Sequence, residues 1–264
     1  MKAAIIGGGV MGEAVLAGAL LDGVLTASEV TVCEKIPSRA EHLRSHYGVH
    51  VTSDASEAMG GAGIVVLCVK PQDLGSVKGH APADAVILSI MAGVTMSSIA
   101  AAFGNDRVVR SMPNTPAAIR QGMTAWVAAP AVTEEQRTLV RKVLLAIGKE
   151  MALDDERKLD MVTAVGRGGP AYVFLFVEAM VEGAVAVGLT RKQAEELVLQ
   201  NLYGSALYAI ESDRPAAELR AQVTSPAGTT AAGLLELEKG AFRATVIECI
   251  RAAYERATEL GKRA

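Results

Sequence analysis

A chain of 264 residues, half of them apolar, can build one large domain or two moderate ones around a substantial core. Aromatic residues make up only 4%, so that core is aliphatic, and a net charge of -3 offers no global attraction to nucleic acid or an anionic membrane. No apolar run approaches the roughly 18–20 residues of a membrane span, because Glu13 and Asp22 interrupt the first helical stretch and Glu178 and Glu182 a later one. The first strand begins at once, so no signal peptide is expected. Cys33, Cys68 and Cys249 stand singly and read as reduced core residues of a cytoplasmic protein. His42, His46, His50 and His80 follow no metal-ligand spacing, and no metal site is expected.

The first predicted strand, 3–6, runs into Gly7-Gly8-Gly9-Val10-Met11-Gly12 and a helix over 13–21. Gly7, Gly9 and Gly12 keep G-x-G-x-x-G spacing. The first glycine permits a sharp strand-to-helix turn, the second lets a pyrophosphate approach the backbone, and the third lets the helix pack close to the strand. The helix start then aims free N–H groups and its positive dipole end at the phosphates. A second strand, 29–33, ends at Glu34, where an acid can accept the ribose 2′-hydroxyl of NADH and repel the 2′-phosphate of NADPH. Lys35, Ser38 and Arg39 would bind that phosphate if Glu34 turned aside, so both cofactors stay open at this point.

A helix over 39–47 and a short strand over 49–52 follow. Residues 64–69 form a continuous apolar strand of the kind buried on both faces of a parallel sheet. Val69, Lys70 and Pro71 mark its C-terminal end, where an open α/β sheet lines its ligand crevice. Lys70 there faces the cofactor or is simply an exposed turn residue. Strand 86–90 ends in Met91-Ala92-Gly93, small enough for a flat ring to approach the backbone. Thr95 opens a helix to 102. Strand 107–111 leads into Met112-Pro113-Asn114-Thr115-Pro116, a stiff loop at the same sheet edge. A strand over 124–128 and a helix over 133–147, opened by Thr133 with Glu134 and Glu135 in its first turn, complete this half. The alternation predicts an α/β fold, a Rossmann-type doubly wound parallel sheet over 1–153.

From about residue 154 the pattern predicts an all-α domain, 154–264. An apolar helical stretch over 160–187 is interrupted at 166–170, where Pro170 breaks or kinks it. Helices over 190–210 and 216–222 follow. Ser225 and Pro226 are placed to open another, to 237, and a last helix runs from beyond Gly240 to near 260. Residues 172–177 are apolar all round, which signals burial. So few residues hold too much apolar surface for one chain, and a homodimer through this domain is expected. In the stretch V-T-S-P-A-G-T-T ending at Thr230, Ser225 suits an N-cap and Pro226 a first helical position. Ala227, Gly228 and Thr229 leave backbone N–H groups uncovered for a carboxylate, and Thr229 and Thr230 add hydroxyls.

Together these motifs resemble the pyrroline-5-carboxylate reductase family, over nearly the whole chain. The carriers are I-I-G-G-G-V-M-G-E-A at 5–14, V-K-P-Q at 69–72, S-M-P-N-T-P at 111–116 and V-T-S-P-A-G-T-T-A-A-G-L-L-E-L-E at 223–238. The resemblance implies reduction of the cyclic imine L-1-pyrroline-5-carboxylate to L-proline by NADH or NADPH, the last step of proline synthesis. It implies a helical dimerisation domain, active sites completed across subunits, and dimers gathered into a decamer. Carried over, Gly7 to Gly12 hold the pyrophosphate, Lys70 and Pro71 line the cofactor, and Ala92 lies by the nicotinamide. The amides of Ala227 to Thr229 hold the substrate carboxylate, and Thr230 is the catalytic hydroxyl near the imine nitrogen. Glu34, Lys35, Val69, Gly93 and Asn114 complete the expected cofactor set, and Ser225 the substrate set.

Five positions at three places depart from the family pattern. Gly166-Arg167-Gly168 stands where the family usually reads S-G-S, Ala227 where glycine is commoner, and Ala55 where an Asn is frequent. Arg167 keeps another cyclic imine open as substrate, and a non-catalytic NADPH sensor is a further alternative. A β-hydroxyacid dehydrogenase would place a catalytic Lys in the long helix after the nucleotide domain, and 159–189 contains no Lys.

Overall fold

β1 (Ala3–Ile6) lies inside an eight-stranded sheet, in a computed structural model that describes residues 1–261. All four of its residues are buried, as an apolar strand flanked by neighbours on both sides requires. The chain continues through α1 (Val10–Leu21), β2 (Val30–Cys33), α2 (Pro37–Tyr47), β3 (His50–Thr52), α3 (Ala55–Met59) and β4 (Ile64–Leu67). Then come β5 (Val86–Ser89), α4 (Met96–Phe103), β6 (Val108–Met112), β7 (Gly122–Ala128), α5 (Glu134–Leu145) and β8 (Gly148–Ala152). The strand order is β3-β2-β1-β4-β5-β6-β7-β8. Alternate residues of β1 feed two aliphatic layers: Ile5 packs with Val15, Leu16 and Val66, and Ile6 with Val65, Leu67 and Ile87.

One pairing departs from the parallel expectation. β6 and β7 run antiparallel. Only a loop with a single 3-10 turn, Thr115–Ile119, joins them, and a parallel return needs a crossover of a dozen residues or more. β8 was not anticipated, because its residues alternate without an apolar run. Pairing with β7 forms it, with Gly148 at φ 142 pressed so close to Gly122 that a Cβ would lie 2.1 Å from that carbonyl oxygen. α3 was also missed; the Asp54 carboxylate caps it by accepting the Ser56 and Glu57 N–H groups.

Arg110 of β6 is 4% exposed. Its Nη1 donates to Glu156 Oε1 at 2.6 Å, and the Met96 N–H donates to the same oxygen at 2.8 Å. Arg110 Nε and Nη2 find no partner among the described residues. The pair thus ties β6 and the start of α4 to the segment after β8. Glu156→Ala removes the one acid hydrogen-bonded to this buried cation, leaving Asp160 as a nearby counter-charge, and is expected to lower stability by about 3 kcal/mol in urea denaturation.

The chain divides into two compact units, Met1–Pro170 together with the stretch from Ala252, and Ala171–Arg251. The helical half comprises α6 (Lys158–Val162), a π turn (Thr163–Arg167), α7 (Gly169–Ala186), α8 (Arg191–Glu211), α9 (Ala216–Gln222), α10 (Thr229–Lys239) and α11 (Phe242–Gly261). Thr190 opens α8 with a reciprocal capping box to Gln193. The interruption expected at 166–170 is absorbed rather than broken. Pro170 falls in the first turn of α7, where its missing N–H costs no helical bond, and the turn before it widens. The stretch Lys158–Ala186 is therefore helical over 29 residues, and an 18-residue window within it has a mean hydropathy of 1.4, so that it is long and apolar enough by length and composition to cross a membrane. This overturns the reading that no run approaches such a length. Within its own unit α7 is little buried: Val181 joins Ala194 and Val198 in a small cluster, while Phe174 and Leu175 are 58% and 66% exposed.

Candidate active site

The turn from β1 into α1 is built as the glycine spacing requires. Gly7 has φ 102, and a Cβ there would sit 2.9 Å from the Cys68 carbonyl. At Gly12 a Cβ would lie 2.0 Å from the Gly7 carbonyl oxygen, so α1 meets the strand only without a side chain. At Gly9 a Cβ would meet nothing within 4 Å. Gly9 is the N-cap of α1 and has no side chain to cap it, which leaves the N–H groups of Val10, Met11 and Gly12 without intrahelical acceptors. The open space at Gly9 and these converging donors fit a pyrophosphate.

A cleft of about 790 Å³ begins here, lined among others by Gly7, Gly9, Glu34, Lys35, Val69 and Lys70. Six expected cofactor residues thus come together. Gly8 is buried beside them, its N–H donating to Glu34 Oε2 at 3.0 Å. Pro71 starts the 3-10 turn after Lys70. Ala92 and Gly93 follow β5 and Asn114 follows β6, at the C-terminal strand ends of the same sheet, without lining the cleft. Asn114 Oδ1 accepts the Met123 N–H at 2.9 Å and so fixes the β6–β7 loop. Burial pushes the Cys33 thiol up, and Cys68 up to about 12, so neither offers a thiolate. Sequence reading missed the acids Asp54 and Asp73 and the base Lys78, which also line the cleft and stand in segments with no motif of their own.

The second cradle starts later than expected. Ser225 and Pro226 do not open a helix; α10 begins at Thr229 with Gly228 as N-cap. Residues 225–228 form a turn instead, closed by the Gly228 N–H donating to the Ser225 carbonyl at 3.1 Å. Proline at the second position and Ala227 at φ 59 at the third are the features of a type II turn. Pro226 has the φ that either structure needs, and the turn takes it. The Gly228 amide is therefore committed, and its lack of a side chain is what matters: a Cβ would lie 2.3 Å from Ser225 Oγ. The N–H groups of Thr229, Thr230 and Ala231 open α10 with no side-chain cap, a carboxylate-sized donor cluster.

Comparison with known proteins separates this arrangement from other dinucleotide folds. Residues 156–260 match a family model described as pyrroline-5-carboxylate reductase dimerisation, and residues 2–93 match one described as NADP oxidoreductase, coenzyme F420-dependent. A pyrroline-5-carboxylate reductase of Synechocystis sp. is 40% identical over 98% of each chain. The chain belongs to the pyrroline-5-carboxylate reductase family. A solved pyrroline-5-carboxylate reductase from Coxiella burnetii superposes with a TM-score of 0.90 at 33% identity over 98% of each chain. One from Plasmodium falciparum, with NADP bound, gives 0.86 at 27% identity, covering 99% of this chain and 98% of that one.

Seen within the pyrroline-5-carboxylate reductase family, Ala227 carries a cost. A left-handed φ strains any residue with a Cβ by about 1–2 kcal/mol. Ala227→Gly relieves that strain, offset in part by glycine's extra freedom when unfolded, and is expected to raise stability by roughly 0.5–1 kcal/mol in thermal denaturation. Arg167, within another departure from the reductase pattern, lies in the π turn and is exposed.

Proposed function

We propose that the chain reduces L-1-pyrroline-5-carboxylate to L-proline with NADH or NADPH, as a cytoplasmic enzyme of proline synthesis. The observation that carries this reading is the uncapped start of α10 behind a glycine-like turn, because a dinucleotide cradle alone serves many reductases.

A bound reduced nicotinamide supplies the hydride. The first-turn amides of α1 hold the pyrophosphate over Gly9, and Glu34 takes the adenosine ribose. Lys35, Val69, Lys70 and Pro71 line the nucleotide, while Ala92 and Gly93 leave room for a flat ring and Asn114 fixes the neighbouring loop. The amides of Thr229 and Thr230, with Ala227 and Gly228 shaping the turn and Ser225 closing it, hold the substrate carboxylate. The Thr230 hydroxyl holds or relays the proton on the imine nitrogen, which makes the imine carbon a better hydride acceptor. No covalent nucleophile is needed, in keeping with the raised thiols of Cys33 and Cys68 in the cleft.

The functional division falls at 153–154, a reading supported by the dimerisation model starting at residue 156. The chain works as a homodimer, and dimers gather into a decamer. Exposed Phe174, Leu175 and Val187 need a cover, and the match of 156–260 to a dimerisation model supports a partner chain, rather than a membrane, in that place. Light scattering at micromolar concentration is expected to give at least a dimer, and a monomer contradicts it. The assay that tests the activity is loss of nicotinamide absorbance on adding pyrroline-5-carboxylate. Turnover is expected; cofactor binding without turnover would make the chain a sensor. Faster turnover of a different cyclic imine would give Arg167 a role in substrate choice.

A further inference from the structure

The peptide unit of Gly8 is gripped on both sides. Its N–H donates to Glu34 Oε2 at 3.0 Å, and its carbonyl accepts Arg39 Nε at 2.7 Å. The other Glu34 oxygen accepts the Ile36 N–H at 2.8 Å. Glu34 is thus held at the end of β2 by two backbone donors and is not turned aside. A carboxylate there suits a ribose diol and opposes a 2′-phosphate.

Arg39 reaches the edge of this site through the Gly8 carbonyl, without lining the cleft, and it is already engaged. Beyond its bond to Gly8, its Nη2 pairs with Glu13 Oε2. Glu13 is itself fixed: Oε1 receives His42 Nε2 at 2.8 Å and the Tyr47 hydroxyl at 2.9 Å. Burial opposes the Glu13 charge, yet hydrogen bonds from His42, Arg39 and Tyr47 outweigh it and hold the carboxyl below its ordinary value. Tyr47, pushed up to about 12 by burial and by the Glu13 bond, stays a donor. The cations that line the cleft, Lys35, Lys70 and Lys78, are matched in number by Glu34, Asp54 and Asp73. No surplus positive charge is left for a second phosphate group.

We infer that Glu13, acting from α1, sets the cofactor preference toward NADH by holding Arg39 away from the ribose position that Glu34 occupies. This rests on the dinucleotide reading of the cleft and deepens it. Glu13 is a positioning residue, and its effect is a ratio between cofactors, which a merely structural role would not move.

The test is kcat/KM with NADH and with NADPH, beside calorimetric binding of 5′-AMP and 2′,5′-ADP, on the native chain and on variants. The native chain is expected to favour NADH and 5′-AMP by about tenfold or more, the scale of one partly screened like-charge contact. Glu13→Gln, which keeps an acceptor for Tyr47 but breaks the ion pair with Arg39 Nη2 and leaves Arg39 only its Gly8 bond, is expected to raise NADPH efficiency roughly tenfold with NADH within about twofold. Tyr47→Phe leaves the Arg39–Glu13 pair in place and the ratio unchanged. Should Glu13→Gln fail to fold, Arg39→Gln reads the same point: with Arg39 already sequestered, its removal leaves the ratio unchanged. A native preference for NADPH, an unmoved ratio in folded Glu13→Gln, or a selective loss of NADPH activity in Arg39→Gln overturns the inference. Equal binding of both mononucleotides overturns it while sparing the dinucleotide site; binding of no nucleotide at all removes the site and the inference together.

Discussion

Thr230→Ala is expected to lower kcat for pyrroline-5-carboxylate about 100-fold while leaving cofactor affinity unchanged. The size is that of removing one preorganised donor from a site where charge develops. Thr230 lies in the first turn of α10, next to the amides assigned to the substrate carboxylate, and the described residues give its hydroxyl no partner within the helix. Its removal costs little packing, because the side chain is exposed in the single chain. Thermal denaturation should therefore be nearly unchanged while steady-state turnover falls. Thr230→Ser, which keeps the hydroxyl, is expected to retain most of the activity. Full activity in Thr230→Ala would remove the residue from the chemistry.

The second large effect comes from a contrast between two glycines three residues apart. Gly12→Ala places a methyl carbon 2.0 Å from the Gly7 carbonyl oxygen, a contact that backbone cannot yield. α1 must then retreat from β1, so both stability and cofactor binding fall, the former by about 1–3 kcal/mol as for other overpacked sites. Gly9→Ala adds its methyl to open space at φ -67, an ordinary backbone setting. Its stability should stay within about 0.5 kcal/mol of the native chain. Yet that space is where the pyrophosphate belongs, and nucleotide affinity is expected to drop at least about 100-fold, the loss of several charge-assisted bonds. Urea denaturation with nucleotide calorimetry on the two variants separates the packing glycine from the binding glycine. Undiminished affinity in Gly9→Ala would move the pyrophosphate elsewhere.

The first half of the fold was legible because its signals are local. β1, β4 and β5 are short apolar runs, and the glycine turn carries its own reason at each position. The failures share a different cause. β8 exists through its pairing with β7 and a glycine–glycine contact, neither visible in G-K-E-M-A. The antiparallel β7 follows from a loop too short for a crossover. The start of α10 was misplaced because Ser225-Pro226 suits a helix entry and a turn equally, and only the left-handed φ of Ala227 decides between them. Pro170 read as a breaker because sequence alone does not show that a new turn begins one residue earlier.

The two cradles differed in the same way. Gly7, Gly9, Glu34 and Lys70 were legible as a set because strand ends of a parallel sheet gather at one edge. The engagement of Arg39 was not, since Glu13 lies 26 residues away and no local pattern joins them. A backbone donor cluster near the start of α10 was legible, but placed two residues early, and its substrate came from the family that the full-length relatives then established.

The most direct measurement follows one atom. The chain is incubated with pyrroline-5-carboxylate and a reduced nicotinamide cofactor carrying deuterium at the transferable C4 position, and the product is read by mass spectrometry. The account predicts L-proline with a single deuterium on the former imine carbon, formed in step with cofactor oxidation. Cofactor oxidation without labelled proline, or no oxidation at all with both NADH and NADPH, would contradict it.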